Sequence, residues 1–218
     1  MEEIAADGAY THSLATNVLS WLYHTSHTRL IQIEELRDLL ATTSNSTDLD
    51  FKARPSMEVI LAATHRLVRC DRNSGVVRFT HPTVFDFLEK RHQQYIHPIG
   101  YMALTSLTYL SFDVFRSGKS PNIQELRKRM DTYKALRYVA QYWGTFVRLS
   151  ENWHPVQMMT LAFLSSTPKR EAMNQVMDYV RMGRMFDSGR GILHIIAENG
   201  LAVNCNLVLY NTSKPGLM

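Results

Sequence analysis

At 218 residues, 45% apolar and 20% charged, the chain can fill one large domain or two small ones, and its composition is not that of a disordered protein. Against 20 Asp+Glu it carries 24 Lys+Arg, interleaved without long blocks, giving a net charge of +4 and a pI near 9.1, which is compatible with nucleic acid but does not ask for it. Two cysteines, Cys70 and Cys205, indicate neither a disulfide framework nor a thiolate zinc site; no signal peptide and no apolar run near the ~18–20 residues of a membrane span occurs, so a soluble cytoplasmic protein is expected.

Residues 1–10 read as an acidic tail. Leu14, Val18, Trp21 and Leu22 then form the stripe of an amphipathic helix over about 11–25. Leu30-Ile31 is a short extended step. Ile33, Leu36, Leu39 and Leu40 mark a second helix with Glu34 and Glu35 in its first turn, where the macrodipole favours carboxylates. A polar loop over 41–50 follows. Ser56 caps a third helix whose expected buried stripe is Val59, Ile60, Ala63 and Leu67.

From Gly75 to Leu88 the period changes. Val77 and Phe79 alternate as in a strand, whereas Val84, Phe87 and Leu88 share a helical face. Thr80-His81-Pro82 lies between them, with the proline suited to a first helical position and His81 to the N-cap. Leu67 to Asp71 is a second strand, joined to the first across Arg72-Asn73-Ser74-Gly75. The order helix, helix, helix, hairpin, helix is that of a winged-helix module.

After His97-Pro98 the pattern is helical only. Ala103, Leu107 and Leu110 form one stripe; Asn122 and Glu125 have capping-box spacing ahead of Leu126 and Met130; Tyr138, Tyr142, Trp143 and Phe146 crowd one longer helix. Pro155 and Pro168 suit first-turn positions. Beyond Ser188-Gly-Arg-Gly191 comes a turn and short helix closed by Gly200.

Gly118-Lys119-Ser120 matches the end of a phosphate loop, but Asp113 stands where the first glycine is needed and Pro121 follows at once, so a solvated loop is expected. There is no His-Glu-x-x-His, no nucleophile elbow and no ligand-spaced histidine cluster, so neither an enzyme nor a metal or cofactor site is expected. A winged-helix nucleic-acid binder is the rival expectation, resting on Arg69, Arg72 and Arg78 of the hairpin. The third helix opposes it, with Glu58 early and no Lys or Arg before Arg66.

Several segments together resemble the region that follows the NACHT ATPase in fungal NOD-like (STAND) receptors with ankyrin repeats. They are Leu19-Ser-Trp-Leu with Arg29 and Glu34-Glu-Leu36; Val77-Arg-Phe-Thr-His81 with Phe87-Leu88; Leu107-Thr-Tyr-Leu-Ser-Phe112 with Tyr138-Val-Ala-Gln-Tyr-Trp-Gly144; and Leu193-His194 with Ala197-Glu-Asn-Gly200, similar to the opening of an ankyrin repeat. The resemblance implies a mainly α protein: a winged helix over 11–96, a helical domain over 97–182, and an incomplete ankyrin-like unit over 183–218. It implies a regulatory, protein-binding role without catalysis, with a NACHT-type ATPase domain and further ankyrin repeats as partners. The chain holds no Walker A or Walker B sequence, and so reads as a fragment or partner-dependent part of such a receptor. His81, placed like the histidine of the Met-His-Asp motif in plant resistance proteins, is by this resemblance the nucleotide-sensing residue. The terminal unit is expected to be loosely held, with Ile192, Leu193, Ile195, Ile196, Leu207 and Leu209 exposed or docked on the helical domain.

Overall fold

The computed structural model describes residues 8–25, 28–44, 46–91 and 95–212, with side chains to 209. It is mainly helical: α1 (Ala9–His24), α2 (Ile33–Leu40), α3 (Met57–Ala63), a two-stranded antiparallel sheet of β1 (Val68–Cys70) and β2 (Val77–Phe79), then α4 (Pro82–Arg91), α5 (Ile99–Leu110), α6 (Ile123–Thr132), α7 (Leu136–Leu149), α8 (His154–Ser165), α9 (Thr167–Met182), α10 (Ile192–Asn199) and α11 (Ala202–Thr212). A 3-10 turn, Asp113–Ser117, joins α5 to α6. The acidic tail expected over 1–10 falls mostly outside the described residues.

Local chemistry accounts for most of the boundaries. Ser56 accepts from the Val59 amide and Asn122 from the Glu125 amide, each satisfying one orphan donor of a first turn. At α2 the cap is a reciprocal box, with Glu35 accepting from the Gln32 amide at 2.9 Å. Pro155 and Pro168 sit in the first turns of α8 and α9. Gly183 and Gly200 close α9 and α10 with φ of 66° and 65°, which glycine adopts without steric cost.

Three expectations about packing need correction. α3 stops at Ala63 because His65 and Arg66 turn to positive φ (46° and 61°), so the stripe does not reach Leu67, and Val59 is 42% exposed. In α4 only Leu88 is buried; Phe87 is 39% exposed, and Phe85 instead stacks on Tyr23 at 5.0 Å. The loop over 41–50, polar by composition, is anchored by buried Leu49, by the Thr47 carbonyl accepting from the Asp113 amide at 2.8 Å, and by Asp48 accepting from the Tyr133 hydroxyl at 3.0 Å.

Buried apolar side chains run as one cluster from Leu14 to Leu201, without a gap at the expected 96/97 boundary. α7 lies at its centre. Trp21 of α1 meets Phe146 edge-on at 5.7 Å and Tyr138 at 6.4 Å, while Trp143 meets Phe163 of α8 at 5.5 Å. The start of α5 is tied to α1 as well: the His97 amide donates to Ser20 at 2.8 Å, and His24 Nε2 lies 2.9 Å from the His97 carbonyl.

α10 and α11 form a helical hairpin docked on α7 to α9. Ile195, Ile196 and Leu201 are buried, whereas Leu193 and Leu209 are each 48% exposed, so of the two expected states docking holds for the inner face and exposure for the outer one. Arg190 joins Asp178 at 2.5 Å and Glu198 at 2.9 Å, and Arg181 also binds Glu198. Burial opposes ionisation of Glu198, but the hydrogen bonds and charges of Arg181 and Arg190 outweigh it and hold the carboxyl below its ordinary value. The sign follows. A depressed carboxyl stabilises docking above its unfolded-state pKa, and that contribution disappears as pH falls through the folded-state value. Acidification through the carboxylate range is therefore expected to shift the methyl NMR signals of Ile195 and Ile196 before those of Val139 and Val147; unmoved signals would contradict it.

Candidate functional site

His81 ends the hairpin and opens α4. Its Nδ1 accepts from the Thr83 amide at 3.2 Å and lies 2.9 Å from the Thr83 hydroxyl. The backbone donor fixes the neutral tautomer, since a ring nitrogen that accepts carries no proton, so Nε2 bears the hydrogen. The side chain is exposed, so the Nε2–H is available to an acceptor from outside, whereas Pro82 has no amide hydrogen and the Thr83 and Val84 amides are taken by His81 Nδ1 and the His81 carbonyl. As a cap, His81 should cost ~0.5–2 kcal/mol on replacement by alanine, measured by urea denaturation of the isolated chain. A loss above ~3 kcal/mol would mean that it does more than cap.

The hairpin arginines are not brought to His81 by any hydrogen bond or ion pair. Arg69 and Arg78 are paired directly across the strands, which places both side chains on one face. Arg78 reaches Asp71 at 3.7 Å; Arg66, Arg69 and Arg72 have no carboxylate partner among the described residues.

The Gly118-Lys119-Ser120 segment cannot cradle a phosphate, for a reason the sequence did not contain. The Ser120 amide donates to Gln175 Oε1 at 2.8 Å and the Ser120 carbonyl accepts from Gln175 Nε2 at 2.9 Å, while Lys119 pairs with Asp187 at 2.6 Å. The loop is thus partly buried and tied to α9, where a solvated one was expected. Among the described residues no three His, Cys, Asp or Glu side chains lie close enough to hold a metal ion, and no described helix is long and apolar enough to cross a membrane.

Sequence reasoning missed the polar joints between segments. Asp38 is fully buried, accepts from the Tyr109 hydroxyl at 2.8 Å and the Ala135 amide at 3.1 Å, and pairs with Arg54 Nε at 2.8 Å. Arg54 continues to Glu34 at 2.7 Å. A second joint centres on Tyr138: Thr28 hydrogen-bonds its hydroxyl at 2.8 Å, and the Arg29 guanidinium lies 5.0 Å above its ring while holding Glu35 through both nitrogens. The third is steric. A Cβ on Gly144 would lie 1.9 Å from Asn199 Oδ1 and 2.8 Å from Asn199 Cβ, so α10 approaches α7 only because position 144 is glycine. No periodic signal was available for Asp38, which lies across α2 from the stripe of Ile33, Leu36, Leu39 and Leu40, on the side where a solvated acid is ordinary.

Comparison of the chain with protein-family models, with curated proteins and with solved structures finds no match.

Proposed function

We propose that this chain is the non-catalytic relay region of a NOD-like (NACHT-ankyrin) receptor, in which a winged helix (11–96), a helical domain (97–182) and an incomplete ankyrin-like unit (183–218) move together. The observation that supports this reading is where the resembling segments lie. Trp21 and Arg29 of the first segment meet Tyr138 of the third, with Arg29 held by Glu35, and Gly144 of the third meets Asn199 of the last. The residues carrying the resemblance are therefore the contacts by which one segment would pass a displacement to the next. Such a role needs cytoplasmic partners that the chain would engage from outside: a NACHT-type ATPase domain facing His81, and further repeats beyond α11.

The exposed Nε2–H of His81 and the positive end of α4 suit a phosphate supplied by that ATPase domain. A contact made only in the closed ADP state would shift the population toward that state. The experiment adds the full chain to a purified NACHT ATPase domain of a fungal receptor of this class and follows release of labelled ADP. Slower release with the chain, lost with His81→Ala, is the expected result; release unaffected by the chain would overturn the reading.

The rival reading, a winged-helix nucleic-acid binder, has in its favour Arg66, Arg69 and Arg72, which have no carboxylate partner among the described residues. It predicts binding to duplex DNA that weakens steeply as salt rises. The receptor reading predicts no such binding at physiological salt.

A further inference from the structure

β2 is paired on both sides, by β1 and by the extended step before α2, where the Val77 amide donates to the Ile31 carbonyl at 3.0 Å and the Ile33 amide to the Gly75 carbonyl at 2.8 Å. β1 is therefore the open edge. The Thr80 amide donates to the Leu67 carbonyl and the Asp71 amide to the Val76 carbonyl, both at 2.9 Å, so residues 67, 69 and 71 turn their backbone groups toward β2. By alternation, Val68 and Cys70 turn their N–H and C=O groups outward, and no described residue outside the sheet bonds them.

That edge runs along a groove open to solvent. The groove, of about 480 Å³, has half-buried Met57 and Leu61 of α3 at its base and Arg66, Arg69 and Arg72 at its rim. A second cavity, of about 380 Å³, continues past Arg69 and Arg72 to Arg78. Edge strands are commonly protected by one charge. Here Arg69 stands directly opposite Arg78, a like-charge pair that destabilises a sheet, and Asp71 Oδ1 is engaged by the Asn73 and Ser74 amides at 3.0 and 2.9 Å. Arg66 enters the rim because the backbone there holds φ at 61°, a conformation fixed by the Thr80 hydroxyl donating to the Arg66 carbonyl at 2.7 Å.

We infer that the β1 edge is a docking site for an extended acidic segment of a partner protein, which adds to the sheet as a further strand. The register defines its pattern. A residue opposite Arg69 shares the arginine face and is acidic; its two neighbours, opposite Val68 and Cys70, exchange backbone hydrogen bonds with the edge and point apolar side chains toward Met57 and Leu61. Charge complementarity with the three rim arginines, which have no carboxylate partner among the described residues, selects acidic over basic partners. This site is independent of His81 and of the receptor reading, which the ADP experiment tests separately.

The test titrates the full chain into a fluorescein-labelled acetyl-Glu-Val-Glu-Val-Glu-amide peptide and follows anisotropy. Saturable binding is expected, weakened at least ~tenfold by Arg69→Glu and by N-methylation of the two valines, with the Val68 and Cys70 amide NMR signals shifting and that of Arg69 moving less. Absence of binding up to ~1 mM would overturn the site, this being the weak limit of specific recognition. Equal binding of the N-methylated peptide would overturn strand addition. Displacement of the peptide by duplex DNA at matched charge would identify the arginines as a phosphate surface and also overturn it.

Discussion

Asp38→Ala is expected to lower the stability of the chain by roughly 3–5 kcal/mol, the cost of removing one partner from a buried ion pair. The carboxylate accepts hydrogen bonds from Tyr109 and Ala135 and forms an ion pair with Arg54 whose geometry is not that of a hydrogen bond. The three come from separate stretches of the chain, and without the carboxylate the two hydrogen-bond donors would be left inside and Arg54 would keep only Glu34. Burial raises the Asp38 carboxyl above its ordinary value, against the opposing hydrogen bonds from Ala135 and Tyr109 and the charge of Arg54. The ionised group is thus held at a net cost. Asp38→Asn, which keeps an acceptor oxygen without the charge, should accordingly lose less than alanine does. Replacing Asp38 and Arg54 together by leucine should lose less than the alanine variant as well, because no orphaned charge remains. Urea denaturation of the three variants decides it; an alanine variant within ~1 kcal/mol of the native chain would show that the network is dispensable.

The second large effect belongs to Gly144. In an unobstructed helix interior, alanine is favoured over glycine by about 1 kcal/mol, so Gly144→Ala would stabilise α7 if nothing opposed it. The added methyl would overlap Asn199 down to its Cβ, which no rotamer change relieves. Overpacking of this kind costs ~1–3 kcal/mol. It should be released where resistance is least, by lifting α10 and α11 away from α7 while the α1, α5 and α7 core stays intact. Amide protection at Ile195 and Ile196 should then fall with little change at Trp143, and Asn199→Gly in the same chain should restore it. Unchanged protection in Gly144→Ala would contradict the close approach.

Periodic features of the sequence led to the elements and local features to their ends. The stripe of Leu14, Val18, Trp21 and Leu22, the turn at Arg72 to Gly75, and the prolines at 82, 155 and 168 act within a few residues, and each lies in the structure in the element it suggested. What could not be read is set by groups far apart in the chain. Asp38 meets Tyr109 and Ala135 across 71 and 97 positions, and Ser120 meets Gln175 across 55. A pattern of one helix cannot report such partners. The early end of α3 was hidden for another reason: His65 and Arg66 are ordinary helix residues, and their positive φ is imposed by the strand that must begin at Val68. α11 was missed because its apolar residues are spread around the helix with no single stripe. The open β1 edge needed the pairing register before Arg69 and Arg78 could be recognised as neighbours.

The hairpin-bearing unit, the helical segment and the terminal hairpin are joined into one body through Asp38, Tyr138 and Gly144. Native-state hydrogen exchange of the full chain in low urea tests it most directly, because amides in one cooperative unit share one opening free energy. Amides of Trp21 in α1 and Trp143 in α7 should converge on the same value, Ile196 in α10 should approach it, and Asp38→Asn should lower the first two together. A Trp21 amide opening well below Trp143, with Asp38→Asn affecting only one of them, would contradict it.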